Sequence, residues 1–147
     1  MKEFTTCIQK YLDNEELRYT THELQHGDAI LVGFSREDGS TVDVMIINHE
    51  DQAPTLVVFD LIRVPANKLG AVLIQANDDN SRRFFRFNIN DNQDLQIRYD
   101  MPNGLTPETL MPCMEEMFPL FMSAVYSYYA NYARLIYSNS DSDESAV

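Results

Sequence analysis

Seventeen consecutive residues without a charge, Met117 to Ala133, lie in the last apolar segment of this chain and constrain everything before them. Pro119, Ser123, Ser127, Asn131 and four tyrosines interrupt the run. A membrane span needs about twenty predominantly apolar residues, so the segment reads as a helix of a soluble fold. Leu110, Met114, Met117, Phe121, Val125, Tyr128 and Tyr132 fall on one stripe of that helix. Met111, Phe118, Met122, Tyr126, Tyr129, Ile136 and Tyr137 form a second surface. A helix apolar over more than one face must be covered from more than one side. Core packing accounts for the first stripe, and a homodimer interface or a client groove for the second, where methionine and tyrosine suit adaptable contacts.

The covering layer is legible upstream. Phe85, Phe87 and Ile89 alternate with Phe84, Arg86 and Asn88, while Leu95, Ile97, Tyr99 and Met101 alternate with Gln96, Arg98 and Asp100. That period predicts two strands, each with one apolar face. A turn centred on Asn92 pairs Phe87 with Ile97 and Phe85 with Tyr99. Such cross-strand pairs contribute roughly 0.2–1 kcal/mol each. Earlier, Ala29 to Phe34 predicts an apolar strand, Asp38-Gly39 a hairpin turn, and Thr41 to Ile47 the returning strand. Apolar residues occupy both alternating sets of that strand, Val42, Val44 and Ile46 on one and Met45 and Ile47 on the other, which predicts a well-covered strand. His49 to Gln52 reads as a turn, Leu56 to Val64 as a strand, and Leu17 to Leu24 as an additional short one.

Helical spacing marks the rest. Phe4, Cys7, Ile8, Tyr11 and Leu12 recur at i, i+3 and i+4. Pro65 stands at a first helical position before Leu69, Val72, Leu73 and Ala76, and Asp78 to Ser81 ends that helix. Thr106 is the predicted N-cap and Pro107 the first residue of the terminal helix, which runs to about Tyr137 with Pro112 and Pro119 able to bend it. The order α-β-β-β-α-β-β-α, with the extra strand near residues 17–24, predicts one α+β domain over residues 1–137. Its antiparallel sheet has five to six strands, with helices packed on one face. Residues 138–147, serine and acid, read as a disordered tail.

Charge narrows the partners. A formal net charge of -12 repels phosphate backbones and anionic bilayers, so neither nucleic acid nor a membrane surface is the expected partner. Cys7 and Cys113 fall on apolar helix faces and give no disulfide framework. Met1-Lys2-Glu3 leads into an amphipathic segment with no apolar signal region, so the chain reads as cytoplasmic.

Three motifs carry chemical temptation. His22-Glu23-Leu24-Gln25-His26 matches H-E-x-x-H, which on a helix puts two histidines on one zinc with glutamate as general base. Thr20 and Thr21 before it and Gly27-Asp28 after it instead predict a strand entering a turn. In a strand, residues four apart lie about 13 Å apart, too far to share one ion. A small zinc hydrolase using His22, Glu23 and His26 is therefore the alternative, not the leading reading. Arg82, Arg83, Arg86 and Arg98 gather in one predicted hairpin, where Arg86 opposes Arg98. Like charges there need neighbouring acids, or they form a docking site for an acidic or phosphorylated partner segment. Glu115 and Glu116 diverge by about 100° on a helix and do not converge on a substrate.

The strand ending Arg63-Val64-Pro65, the short helix after it, the Phe85-Arg86-Phe87 strand and the alternating Leu95 to Tyr99 strand are landmarks of a known pattern. So are Gly104-Leu105-Thr106-Pro107-Glu108 opening a long helix and the small, apolar and aromatic stretch Ala133 to Tyr137. Together they resemble the bacterial YbjN family, putative sensory transduction regulators. That resemblance implies the fold of type III secretion chaperones: small, acidic, non-enzymatic, usually dimeric proteins that hold segments of clients. It supplies no catalytic residues and no cofactor. The expected function is a non-enzymatic protein-binding module, acting on a client or regulatory partner through Arg86, Arg98, Met111, Phe118, Met122, Tyr126 and Tyr129.

Overall fold

The computed structural model describes residues 2–36, 38–82 and 84–138. Helix α1, Lys2–Asn14, leads into four strands, β1 (Tyr19–Leu24), β2 (Gly27–Ser35), β3 (Thr41–His49) and β4 (Thr55–Arg63). A 3-10 turn over Ala66–Lys68 enters α2, Leu69–Arg82. The hairpin of β5 (Arg86–Ile89) and β6 (Asp94–Asp100) follows, and α3, Pro107–Tyr137, closes the described chain. The six strands form one sheet in the order β1-β2-β3-β4-β6-β5, with each neighbouring pair antiparallel. The domain is α+β, and the segment near residues 17–24 supplies its first edge strand. The serine-acid tail beyond Ser138 and Arg83 lie outside the described residues.

Local chemistry sets the boundaries. Gly39 takes a φ of 88° in the β2–β3 turn, where the Asp38 carboxylate accepts from the Ser40 amide at 2.9 Å and its hydroxyl at 2.6 Å. At the start of α3 the Thr106 hydroxyl accepts from the Thr109 amide at 3.3 Å, and the Thr109 hydroxyl accepts from the Thr106 amide at 2.8 Å.

Helix α2 continues to Arg82, through the polar run where the sequence ends it, because tertiary partners claim those side chains. The Tyr132 hydroxyl donates to Asp79 at 2.6 Å and the Gln75 amide donates to the other oxygen at 3.1 Å. Asn80 clasps the backbone of β5, accepting from Phe87 N–H at 2.6 Å and donating to Phe87 C=O at 2.9 Å. Arg86 accordingly opens β5, two residues later than the apolar alternation starts. The hairpin register is the predicted one, Phe87 opposite Ile97 and Arg86 opposite Arg98.

One core holds the helices to the sheet. Ile30, Val32, Val42, Val44, Ile46, Leu56, Val58, Leu95 and Ile97 share a cluster with Ile8 and Leu12 of α1, Val72 of α2, and Leu110, Met114, Phe121 and Val125 of α3. All three helices therefore cover the same face of the sheet. Ala29, Leu31, Met45, Ile47, Val57 and Phe59 alternate onto the opposite face and stand outside that cluster. The expectation that β3 is well covered is corrected here. Met45 and Ile47 point to a face that no described helix covers, and both are half-buried.

The second surface of α3 is corrected as well. Phe118, Met122 and Ile136 are buried in the core of a single chain. The Phe118 ring packs edge-on against Tyr11 at 5.8 Å between centroids and tilted against Phe34 at 6.2 Å. Helix α1 on one side and the β2–β3 hairpin on the other supply the cover that a partner subunit would otherwise provide.

Candidate functional site

The sheet face opposite the core is covered by none of the described helices. One row across it runs Leu31, Met45, Val57, Arg98, Arg86 through five strands, and a second runs Ala29, Ile47, Thr55, Asp100. The centre is apolar and the β6–β5 side is polar. Val57 and Ala29 are buried without any helix above them, which places them under the neighbouring side chains of their own face. Phe59 is 42% exposed.

A bulge shapes one end of this face. Between the pairs Val58–Ile97 and Ile62–Leu95, strand β4 runs through Phe59, Asp60 and Leu61 where β6 has only Gln96. The extra residues push Phe59 and Asp60 outward, as bulges do when they re-aim side chains. Both sides of the bulge are held. Asn90 donates to Phe59 C=O at 2.9 Å while its own oxygen accepts from the Asn92 and Asp94 amides at 3.0 and 3.1 Å. Arg36 donates to Leu61 C=O at 3.2 Å, with its guanidinium 4.3 Å from the centre of the Tyr129 ring. A depression of about 390 Å³ results, with Leu31, Met45 and Phe59 as its apolar part and Asp43, Asp60 and Asp94 around them. Partial burial, reinforced by the carboxylates of Asp43 and Asp94, raises the Asp60 carboxyl above its ordinary range, against a backbone hydrogen bond and a weaker pull from Arg36. Arg63 stands 4.0 Å from Asp94, at the limit of an ion pair.

The residues singled out in the sequence do not converge. Arg98 sits on the open face, donating to Asp100 at 2.7 Å; the Thr55 hydroxyl donates to the same oxygen at 2.8 Å. Burial acts to raise the Asp100 carboxyl, but these two hydrogen bonds outweigh it and hold the group below the usual range. Asp100 is thus the neighbouring acid that Arg98 required. Arg86 reaches Asn80 C=O at 3.5 Å, and Arg82 pairs with Asp78 one helical turn away at 3.1 Å. Met111 is half-buried against the core and Phe118 and Met122 lie inside it. Tyr126 and Tyr129 line a separate cleft of about 560 Å³ with Ser35, Arg36, Asp38 and Ala130.

His22 and Glu23 lie in β1 and His26 in the turn after it, so the helical turn that H-E-x-x-H needs is not formed. His22 contacts the Thr20 hydroxyl at 3.1 Å and His26 lies 3.8 Å from Glu50. Among the described residues no group of three His, Cys, Asp or Glu is placed to hold a metal ion. Burial raises the thiols of Cys7 and Cys113 above their ordinary range, the wrong direction for a nucleophile.

Phe59, Leu31 and Met45 are the site residues that sequence reasoning missed. The signal for Met45 is the second alternating set of β3; Leu31 and Phe59 sit within near-continuous apolar runs of β2 and β4 that do not mark a face. The molecule is an α+β domain with one face of its sheet left open. No protein-family model matches this chain, and no curated protein matches it. No helix among the described residues is long and apolar enough to cross a membrane.

Proposed function

We propose that this chain is a non-enzymatic, cytoplasmic protein-binding module, chaperone-like or regulatory, that receives a partner on the open face of its sheet. The supporting observation is the apolar row Leu31, Met45 and Val57 with Phe59 beside it, on the face opposite the core. Phe59 is exposed, Leu31 and Met45 are half-buried and Val57 is buried, and partly exposed apolar side chains within a polar rim are a feature of interaction surfaces. The resemblance to the YbjN family implies a small acidic binding protein, and a net charge of -12 is compatible with that reading. That charge also opposes nucleic acid and anionic membranes as partners.

Threonine at Met45 and Phe59 keeps strand propensity while removing apolar surface. Wild-type protein immobilised in lysate of its native cell is expected to retain partner proteins that Met45→Thr/Phe59→Thr loses, at an unchanged melting midpoint. Equal retention by both proteins contradicts the proposal.

A homodimer is a second part of the reading, favoured by apolar residues on the helical side. Phe84 and Leu120 line one cleft between α2 and α3, and Ile74 is 75% exposed on α2. Light scattering checks it: a dimer mass that falls to a monomer mass in Ile74→Asp/Phe84→Asp supports it, and a monomeric wild type ends it.

A further inference from the structure

The backbone of a sheet interior is already paired, so the open face presents side chains and no free ladder of amides and carbonyls. A partner laid across it must satisfy its own main chain. An extended segment would bring unpaired backbone groups onto Leu31, Met45 and Val57 at a cost comparable to lost hydrogen bonds. A helix brings none. The apolar row crosses three neighbouring strands, β2, β3 and β4. Three strands at about 4.8 Å spacing span about 10 Å, close to the diameter of one helix with its side chains.

Charge selects among helices. Asp43, Asp60 and Asp94 gather around Leu31, Met45 and Phe59 at the bulged end of the face. Arg63 is only at the edge of an ion pair with Asp94, and Asp43, Asp60 and Asp94 line one depression. A second copy seated on this face through the same patch would set Asp43, Asp60 and Asp94 against their own counterparts. A cationic partner meets the opposite field.

We infer that the open face receives a basic amphipathic helix of a partner protein, its apolar stripe over Leu31, Met45 and Phe59 and its lysines or arginines beside Asp43, Asp60 and Asp94. This rests on the reading of the face as the docking surface. Interface charges of this kind set specificity and association rate, with apolar burial supplying most of the affinity. Binding therefore weakens with salt.

The probe is a fluorescein-labelled, alanine-rich peptide of roughly eighteen residues with leucines on one face and lysines flanking them. Two controls carry glutamate in place of lysine, or the same composition scrambled to remove the stripe. Fluorescence anisotropy is expected to show binding of the lysine helix. Asp43→Asn/Asp60→Asn should weaken it by about tenfold, as expected for lost charge complementarity. Glu115→Gln/Glu116→Gln, which removes the same number of charges on α3, should leave it unchanged. Equal weakening in the two variants, or equal binding of the scrambled peptide, overturns the inference as general acidity. Equal binding of the glutamate helix, lost in Met45→Thr/Phe59→Thr, overturns the charge selection and leaves the docking face standing. Binding that ignores Met45→Thr/Phe59→Thr overturns both.

Discussion

The two faces of this sheet are built from the same strands with the same two-residue period, yet they serve opposite ends. On one face Val44, Ile46, Leu56 and Val58 are buried under α1 and α3 and belong to the core. On the other, Met45, Ile47 and Phe59 remain in contact with solvent although they are as apolar. Apolar character in a strand therefore does not report which face is the core. The core draws on one set of side chains, and the other set lies on the face that no described helix covers.

Substitutions should separate the faces, and the largest difference comes from cavity formation. Phe121→Ala removes a fully buried ring packed edge-on against Phe85 at 5.7 Å. It should cost about 3–5 kcal/mol. Phe59→Ala on the open face should cost less than about 1 kcal/mol. Urea unfolding checks both, and equal losses would erase the distinction between the faces.

A smaller effect is expected where α2 is fastened to the covered side. Tyr132→Phe deletes the buried hydrogen bond to Asp79. The expected loss is about 1–3 kcal/mol. Burial, then the hydrogen bond to the Asp79 carboxylate, pushes the Tyr132 phenol well above the ordinary range of a tyrosine. A proton held more tightly when folded stabilises the fold fully below the unfolded value, and that contribution is lost progressively as pH rises from there through the folded one. Thermal melts of the wild type should therefore fall progressively above about pH 10, while Tyr132→Phe lacks this component. Parallel pH profiles for the two proteins would contradict it.

The smallest effect lies on the open face. The folded state raises the Asp60 carboxyl, so its contribution is favourable below the unfolded value and is lost as pH rises through the folded one. Asp60→Asn should thus be as stable as wild type at neutral pH, or slightly more so. A clear loss in the melting midpoint would show that the carboxylate supports the fold.

Much of the architecture was legible because local rules and tertiary packing agreed. The Phe87–Ile97 register followed from alternation alone, and Thr106 and Pro107 marked the start of α3 through capping chemistry. What was not legible depended on distant partners. Asp79 and Asn80 look like a helix stop until Tyr132 and Phe87 bond them. Phe118 and Met122 look like an intermolecular surface until α1 and the β2–β3 hairpin are folded against α3. The bulge needs Asn90 and Arg36, which lie 31 and 25 residues from the carbonyls they hold. No local pattern encodes those contacts, so the site that the bulge shapes was the least visible part of the chain.

The chain's seven methionines permit a direct test, because Met45 lies on the open face, Met114 in the core, and Met111 and Met117 on α3. Methyl NMR of methionine-labelled protein, titrated with the lysine–leucine helix, should shift Met45 while Met114 stays in place. Shifts at Met111 and Met117 with Met45 unmoved would contradict the account of the open face.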